Sequence, residues 1–134
     1  MPLTASVSGS FNSLSSSQYV VVGASGLTAN EGTTITFTIQ AYGIADGTTL
    51  YYSPNLLGTS ATFTTGDIGG ASYNGSVVLG NGSNTFSFTF SNDLATEGDE
   101  ILQMDIRTGS LSGPVVATSR PVTVSYTHLR AHET

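Results

Sequence analysis

The chain has 134 residues, no cysteine, no lysine, three arginines and nine acidic residues, for a net charge of -6. That length suits one domain with a modest core. Without cysteine there is no disulfide framework or thiol chemistry; without lysine there is no Schiff base, Walker-type phosphate lysine or lysine isopeptide cross-link; and nucleic acid needs a basic face that is missing here.

No run of 18 apolar residues occurs, so no membrane insertion is predicted. Residues 1–17 (MPLTASVSGSFNSLSSS) are Ser-rich and aperiodic, and read as a linker or the end of a preceding segment. They lack the charged and apolar regions of a signal peptide, so the expectation is a piece of a longer chain.

From Gln18 onward the pattern is that of strands. Residues 18–25 (QYVVVGAS) form a short apolar run. Residues 33–40 alternate, with Ile35, Phe37 and Ile39 on one face and Thr34, Thr36 and Thr38 on the other. Residues 48–53 put Leu50 and Tyr52 on one face. The stretch 54–71 is loop-rich and predicts irregular structure or an edge strand. Residues 72–79 offer Tyr73, Val77 and Leu79 to one face, and 84–90 offer Phe86, Phe88 and Phe90. Between them, Gly80-Asn81-Gly82-Ser83 predicts a hairpin turn. Residues 101–107 place Leu102, Met104 and Ile106 inward and Gln103, Asp105 and Arg107 outward; residues 114–124 close the set with Val122 and Val124.

About seven strands with one wet face each predict an all-β fold: an antiparallel β-sandwich of immunoglobulin-like type, over residues 18–124. Asn74-Gly75-Ser76 and Asn81-Gly82-Ser83 match the glycosylation sequon but read as turns.

The composition changes abruptly at residues 125–134 (SYTHLRAHET). This string resembles a translated sequencing adapter and is set aside as an artefactual tail. His128 and His132, both inside it, are therefore not read as zinc ligands. Without the tail the body keeps its charge of -6 and has no histidine, so no Ser-His-Asp triad can be built.

The remaining carboxylates cluster. Glu31 lies in ANEGTTITF, Asp67 in TGDIGG, and Asn92, Asp93, Glu97, Asp99 and Glu100 in SNDLATEGDEIL. This arrangement resembles the Calx-β domain. That family has an Asn-Glu-Gly element before a strand, an Asp in a mid-domain loop and an Asp-Asp-x-x-x-Glu-x-x-Glu turn. The resemblance implies an immunoglobulin-like sandwich whose acidic loops gather at one end. By matching position, Glu31, Asp67, Asp93, Glu97 and Glu100 are the implied Ca²⁺ ligands, with the Leu94 carbonyl as a further donor. Two departures weaken the set: Asn92 replaces the first Asp of the pair, and the terminal run of Asp in binding members is missing. Any site is thus expected to be weak and incomplete, at about 10⁻⁴ M or weaker. Solvated turn carboxylates that bind nothing remain the plain alternative.

The functional expectation is a non-catalytic structural or adhesion module of a larger extracellular, cell-surface or virion protein. Its expected partners are neighbouring repeats of the same chain and protein or glycan ligands. The alternatives are a calcium-sensing domain of a membrane transporter and a carbohydrate-binding accessory module. The latter calls for exposed tyrosines among Tyr51, Tyr52 and Tyr73.

Overall fold

The computed structural model describes residues 17–91 and 98–125. Within them the chain forms ten strands: β1 (Tyr19–Ala24), β2 (Thr28–Asn30), β3 (Thr34–Tyr42), β4 (Thr49–Pro54), β5 (Gly75–Val78), β6 (Ser83–Thr89), β7 (Glu100–Leu102), β8 (Met104–Thr108), β9 (Val115–Thr118) and β10 (Val122–Ser125). They build a sandwich of immunoglobulin-like type. One sheet has the order β1-β3-β6. Facing it are a four-stranded sheet, β5-β4-β8-β9, and a three-stranded one, β2-β10-β7.

Alternation decides which side of each strand is dry. Ile35, Phe37, Ile39 and Ala41 of β3 are buried together with Phe86 and Phe88 of β6, and Phe90 follows directly after β6. The opposite face of the β3–β6 pair is a ladder of hydroxyls. Thr34 bonds Thr89 at 2.7 Å and Thr36 bonds Ser87 at 2.9 Å, cross-strand pairs of a kind that support a wet sheet face. From the other layer Leu50, Met104 and Ile106 are fully buried. Tyr52 lies face to face on Phe86, with ring centroids 3.9 Å apart and planes 2° apart, and Phe86 in turn stacks on Phe37 at 5.1 Å.

Four expectations change. First, the apolar run 101–107 is not one strand. It breaks at Gln103 into β7 and β8, which enter different sheets. Gln103 O accepts from Asn55 N (2.7 Å) and Thr59 Oγ1 (3.0 Å), and Gln103 Nε2 donates to Ser119 O (2.7 Å). A Cβ at residue 58 would collide with the Gln103 side chain, so Gly58 lets the loop pass. The run 114–124 breaks in the same way at 119–121 into β9 and β10.

Second, pairing is not wholly antiparallel. β2, too short to stand out in the sequence, runs parallel to β10, pairing Thr28 with Thr123 and Asn30 with Ser125. Third, the turn at 80–83 forms, but not a hairpin. Asn81 (φ 55°) and Gly82 (φ 78°) are left-handed, and Gly80 and Ser83 exchange backbone bonds of 3.1 Å. Yet β5 pairs with β4 and β6 with β3, so the turn links the two layers. The local chemistry of a tight turn is the same in both cases; only the partners of the flanking strands differ.

Fourth, the stretch 54–71 is irregular, one of the two forms expected of it, but it folds back over the sandwich and buries the outward-facing Asp105. It holds a 3-10 helix (Thr65–Ile68) and sends Phe63 and Ile68 into the core, Phe63 meeting Phe90 edge-on at 6.1 Å. This loop also covers Asp105. The residue lies on the face opposite Met104 and Ile106, as alternation demands, but is only 5% exposed because Asn55 caps it.

Phe37→Ala should destabilise by about 3–5 kcal/mol through loss of a fully buried ring. Thr85→Ala on the wet face should cost less than about 1 kcal/mol. Urea unfolding of both variants checks this; equal losses would mean the faces are assigned wrongly.

Candidate functional site

Three of the acidic segments come to one end of the sandwich, those of Glu31 and Asp67 through backbone bonds around Phe90 and Ser91 and that of Glu100 through its pairing with β10. Glu31 occupies the turn after β2. That turn needs a left-handed residue, supplied by Gly32 (φ 81°). Gly32 N donates to Phe90 O at 2.7 Å, and Phe90 N donates to Thr33 O at 2.9 Å. Glu31 N donates to Ser125 O at 3.3 Å, and both carboxylate oxygens of Glu31 are closed off from solvent.

Asp67 sits in the 3-10 helix and is 6% exposed. Its Oδ2 accepts from Thr64 N at 2.7 Å, so part of its role is to cap its own turn. The turn is fastened to Ser91: Ser91 N donates to Asp67 O at 2.8 Å, Gly69 N donates to Ser91 Oγ at 2.8 Å, and that hydroxyl donates to Gly66 O at 2.8 Å.

Glu100 opens β7 and is 4% exposed. It pairs across the sheet with Val124, whose other neighbour is Ala29, two residues before Glu31. Its Oε1 is buried and has no hydrogen-bond partner among the described residues. Burying a charged oxygen without a partner is costly, so such an atom calls for a counter-charge or a donor.

Asp67 and Glu100 line one pocket of about 400 Å³ together with Thr62 and Thr64. The donors there are all oxygens, the set preferred by a hard cation such as Ca²⁺, and neither His nor Cys is among them. Among the described residues no group of three or more His, Cys, Asp or Glu is gathered closely enough to hold a metal. Glu31 belongs to the same pole but not to the lining of this pocket. Asp93 and Glu97, with Asn92 and Leu94, lie outside the described residues, as do His128 and His132. Sequence reasoning missed Thr62 and Thr64. Thr64 was detectable, because Thr64-Thr65-Gly66-Asp67 is a capping-box pattern that brings a Thr hydroxyl to the Asp.

No helix among the described residues is long and apolar enough to cross a membrane. No protein-family model matches the sequence, and no curated protein matches it. Among solved structures, the apo form of the Calx CBD1 domain matches at 14% identity with a TM-score of 0.51, covering 81% of this chain and 96% of that one. At that identity the likeness shows the fold: the sandwich expected from the alternation is the sandwich of that domain. Looser matches are a chain from a study of T cell activation by the bacterial superantigen toxic shock syndrome toxin-1 (7% identity, 80% of this chain and 98% of that, TM-score 0.40) and one from a type I cohesin–dockerin complex of Clostridium thermocellum (9%, 81% and 93%, TM-score 0.37).

In EDTA, Glu100→Gln should raise stability by about 1 kcal/mol, because a neutral amide replaces a buried carboxylate one of whose oxygens has no partner among the described residues. Asp67→Ala should instead lower it by about 1–2 kcal/mol through loss of the cap to Thr64. Urea midpoints of the two variants would show opposite signs; a loss for both would mean Glu100 has a partner.

Proposed function

We propose that the chain is a non-catalytic sandwich module of an extracellular, cell-surface or virion protein that holds Ca²⁺ at its acidic pole. The observation carrying the metal reading is the shared pocket of Asp67 and Glu100, with a buried Glu100 oxygen that has no partner among the described residues. Asp67, Glu100 and the Thr62 and Thr64 hydroxyls hold the ion in this reading. Asp93 and Glu97, ligands by the resemblance, lie between Ser91 and Glu100 in the sequence, and Glu31 adds charge from the neighbouring turn. Bound Ca²⁺ supplies the positive charge that lets these carboxylates pack together. The chain's own residues do the rest. They bring the turn after β2, the 3-10 helix and the start of β7 to one place, so an ion there ties three separate segments.

The non-catalytic part is supported by chemistry the body lacks: lysine, cysteine and, outside residues 125–134, histidine. A stiffened pole suits a module that works in series with neighbouring repeats or presents a surface to protein or glycan ligands.

With a Kd of about 10⁻⁴ M, CaCl₂ at a hundredfold excess over that Kd should stabilise by about 2.7 kcal/mol. That corresponds to a rise in Tm of about 10 °C in scanning calorimetry. Mg²⁺ should do far less, since it demands a tighter octahedral shell. The double variant Asp67→Asn, Glu100→Gln should abolish the rise. A Tm indifferent to Ca²⁺ would reduce the module to a plain spacer.

A further inference from the structure

A second pocket, of about 450 Å³, opens between the outer face of the four-stranded sheet and the loop that follows β4. Its floor is the pair Asp105 and Arg107 of β8. The pair is held by its other atoms. Asp105 Oδ1 accepts from Asn55 Nδ2 at 3.0 Å and from Thr118 Oγ1 at 2.7 Å. Arg107 donates from Nε to Ser53 Oγ at 3.2 Å and from Nη1 to Gly113 O at 2.7 Å. What remains is Arg107 Nη2 beside Asp105 Oδ2, 3.7 Å apart. That separation is too long for a hydrogen bond. The two groups form an ion pair without a direct hydrogen bond, so a donor and an acceptor stand side by side with room for an oxygen between them.

The chemistry of this gap selects its ligand. An anion would meet Asp105, and a cation would meet Arg107. A hydroxyl group satisfies both, accepting from Nη2 and donating to Oδ2. The walls add a second preference. The half-buried Tyr73 ring and the side chains of Leu56 and Leu57, 82% and 101% exposed, form an apolar rim, and the exposed Asn74 stands beside them. A ring with a C–H face and hydroxyl edges fits such a mixture, and the volume lies within the range of small-ligand sites. The geometry points to a binding site for a neutral saccharide, with Asp105 and Arg107 reading a hydroxyl and Tyr73, Leu56 and Leu57 packing against the sugar ring. No residue lining this pocket lines the one at the acidic pole. The site needs none of the residues that would hold calcium.

The tyrosines expected to carry such an activity divide: Tyr73 lines this pocket and Tyr52 packs against the core. Tyr52 is turned inward onto Phe86, and Tyr73 backs onto Phe63 at 6.3 Å. The exposed tyrosine pair is Tyr19 and Tyr42, stacked on each other at 4.5 Å, so one face of each ring is already covered.

The test is amide NMR of the ¹⁵N-labelled full chain in EDTA, which separates it from the calcium reading. The probes are methyl α-mannopyranoside, methyl β-glucopyranoside, methyl β-galactopyranoside and N-acetylglucosamine, with sodium acetate and methylammonium as charged controls. At least one sugar should shift the Leu57, Asn74 and Arg107 amides saturably. Asn74→Ala, at an exposed position on the pocket rim where the amide side chain would give the sugar one further hydrogen bond, should weaken binding about fivefold. Arg107→Lys should weaken it further by removing the planar fork. The proposal fails if no sugar gives saturating shifts, if they centre on Tyr19 and Tyr42, if acetate or methylammonium does as well, or if both variants bind like the parent.

Discussion

Contact between aromatic rings across the two layers is what the rest of this structure depends on. Tyr52 from one layer lies flat on Phe86 of the other, and Phe86 in turn stacks on Phe37 beside it. Each ring buries a large apolar area, and parallel stacking adds to that burial. The arrangement demands that every strand keep its side-chain parity. A slip of one residue in β3 or β6 would turn threonine hydroxyls inward and phenylalanines to water. The Thr34–Thr89 and Thr36–Ser87 pairs on the outer face reinforce the same register from the wet side.

Once the layers are fixed, the ends of the strands become the places where the chain can do something else. Gln103 and Ser119 sit opposite each other where β7 gives way to β8 and β9 to β10. Met104 N donates to Ser119 Oγ, and Ser119 N donates to Met104 O. These bonds satisfy backbone groups that a break in the ladder would otherwise strand. The break sends Glu100 toward the acidic pole and Asp105 toward the outer face of the other sheet. Two pockets of different chemistry thus arise from one continuous stretch of sequence.

The chain has few charges, and it treats its buried carboxylates unequally. Asp105 is covered but has two hydrogen-bond donors and a guanidinium nearby. Asp67 spends one oxygen on its own turn. Glu100 keeps a buried oxygen with no partner among the described residues. A carboxylate in that condition costs stability unless something outside the chain offsets it. This inequality gives the acidic pole its interest, more than the number of acidic residues there.

The sequence alone determined the class of fold and most of the core. Period-two alternation is a local property, and Ile35, Phe37, Ile39, Phe86, Phe88, Leu102, Met104 and Ile106 are all buried as their spacing requires. Glu31, Asp67 and Glu100 were singled out by a resemblance and not by geometry, and the structure sets only Asp67 and Glu100 on one pocket. Only the tertiary structure decided which strands share a sheet: the tight turn at 80–83 crosses between layers, and the run 101–107 divides at Gln103. It also decided that the loop 54–71 fills the core through Phe63 and Ile68 and covers Asp105. The physical reason is that alternation tells a residue which side of its own strand is dry. It carries no record of which distant strand supplies the hydrogen bonds, or which loop folds back over an outward-facing charge.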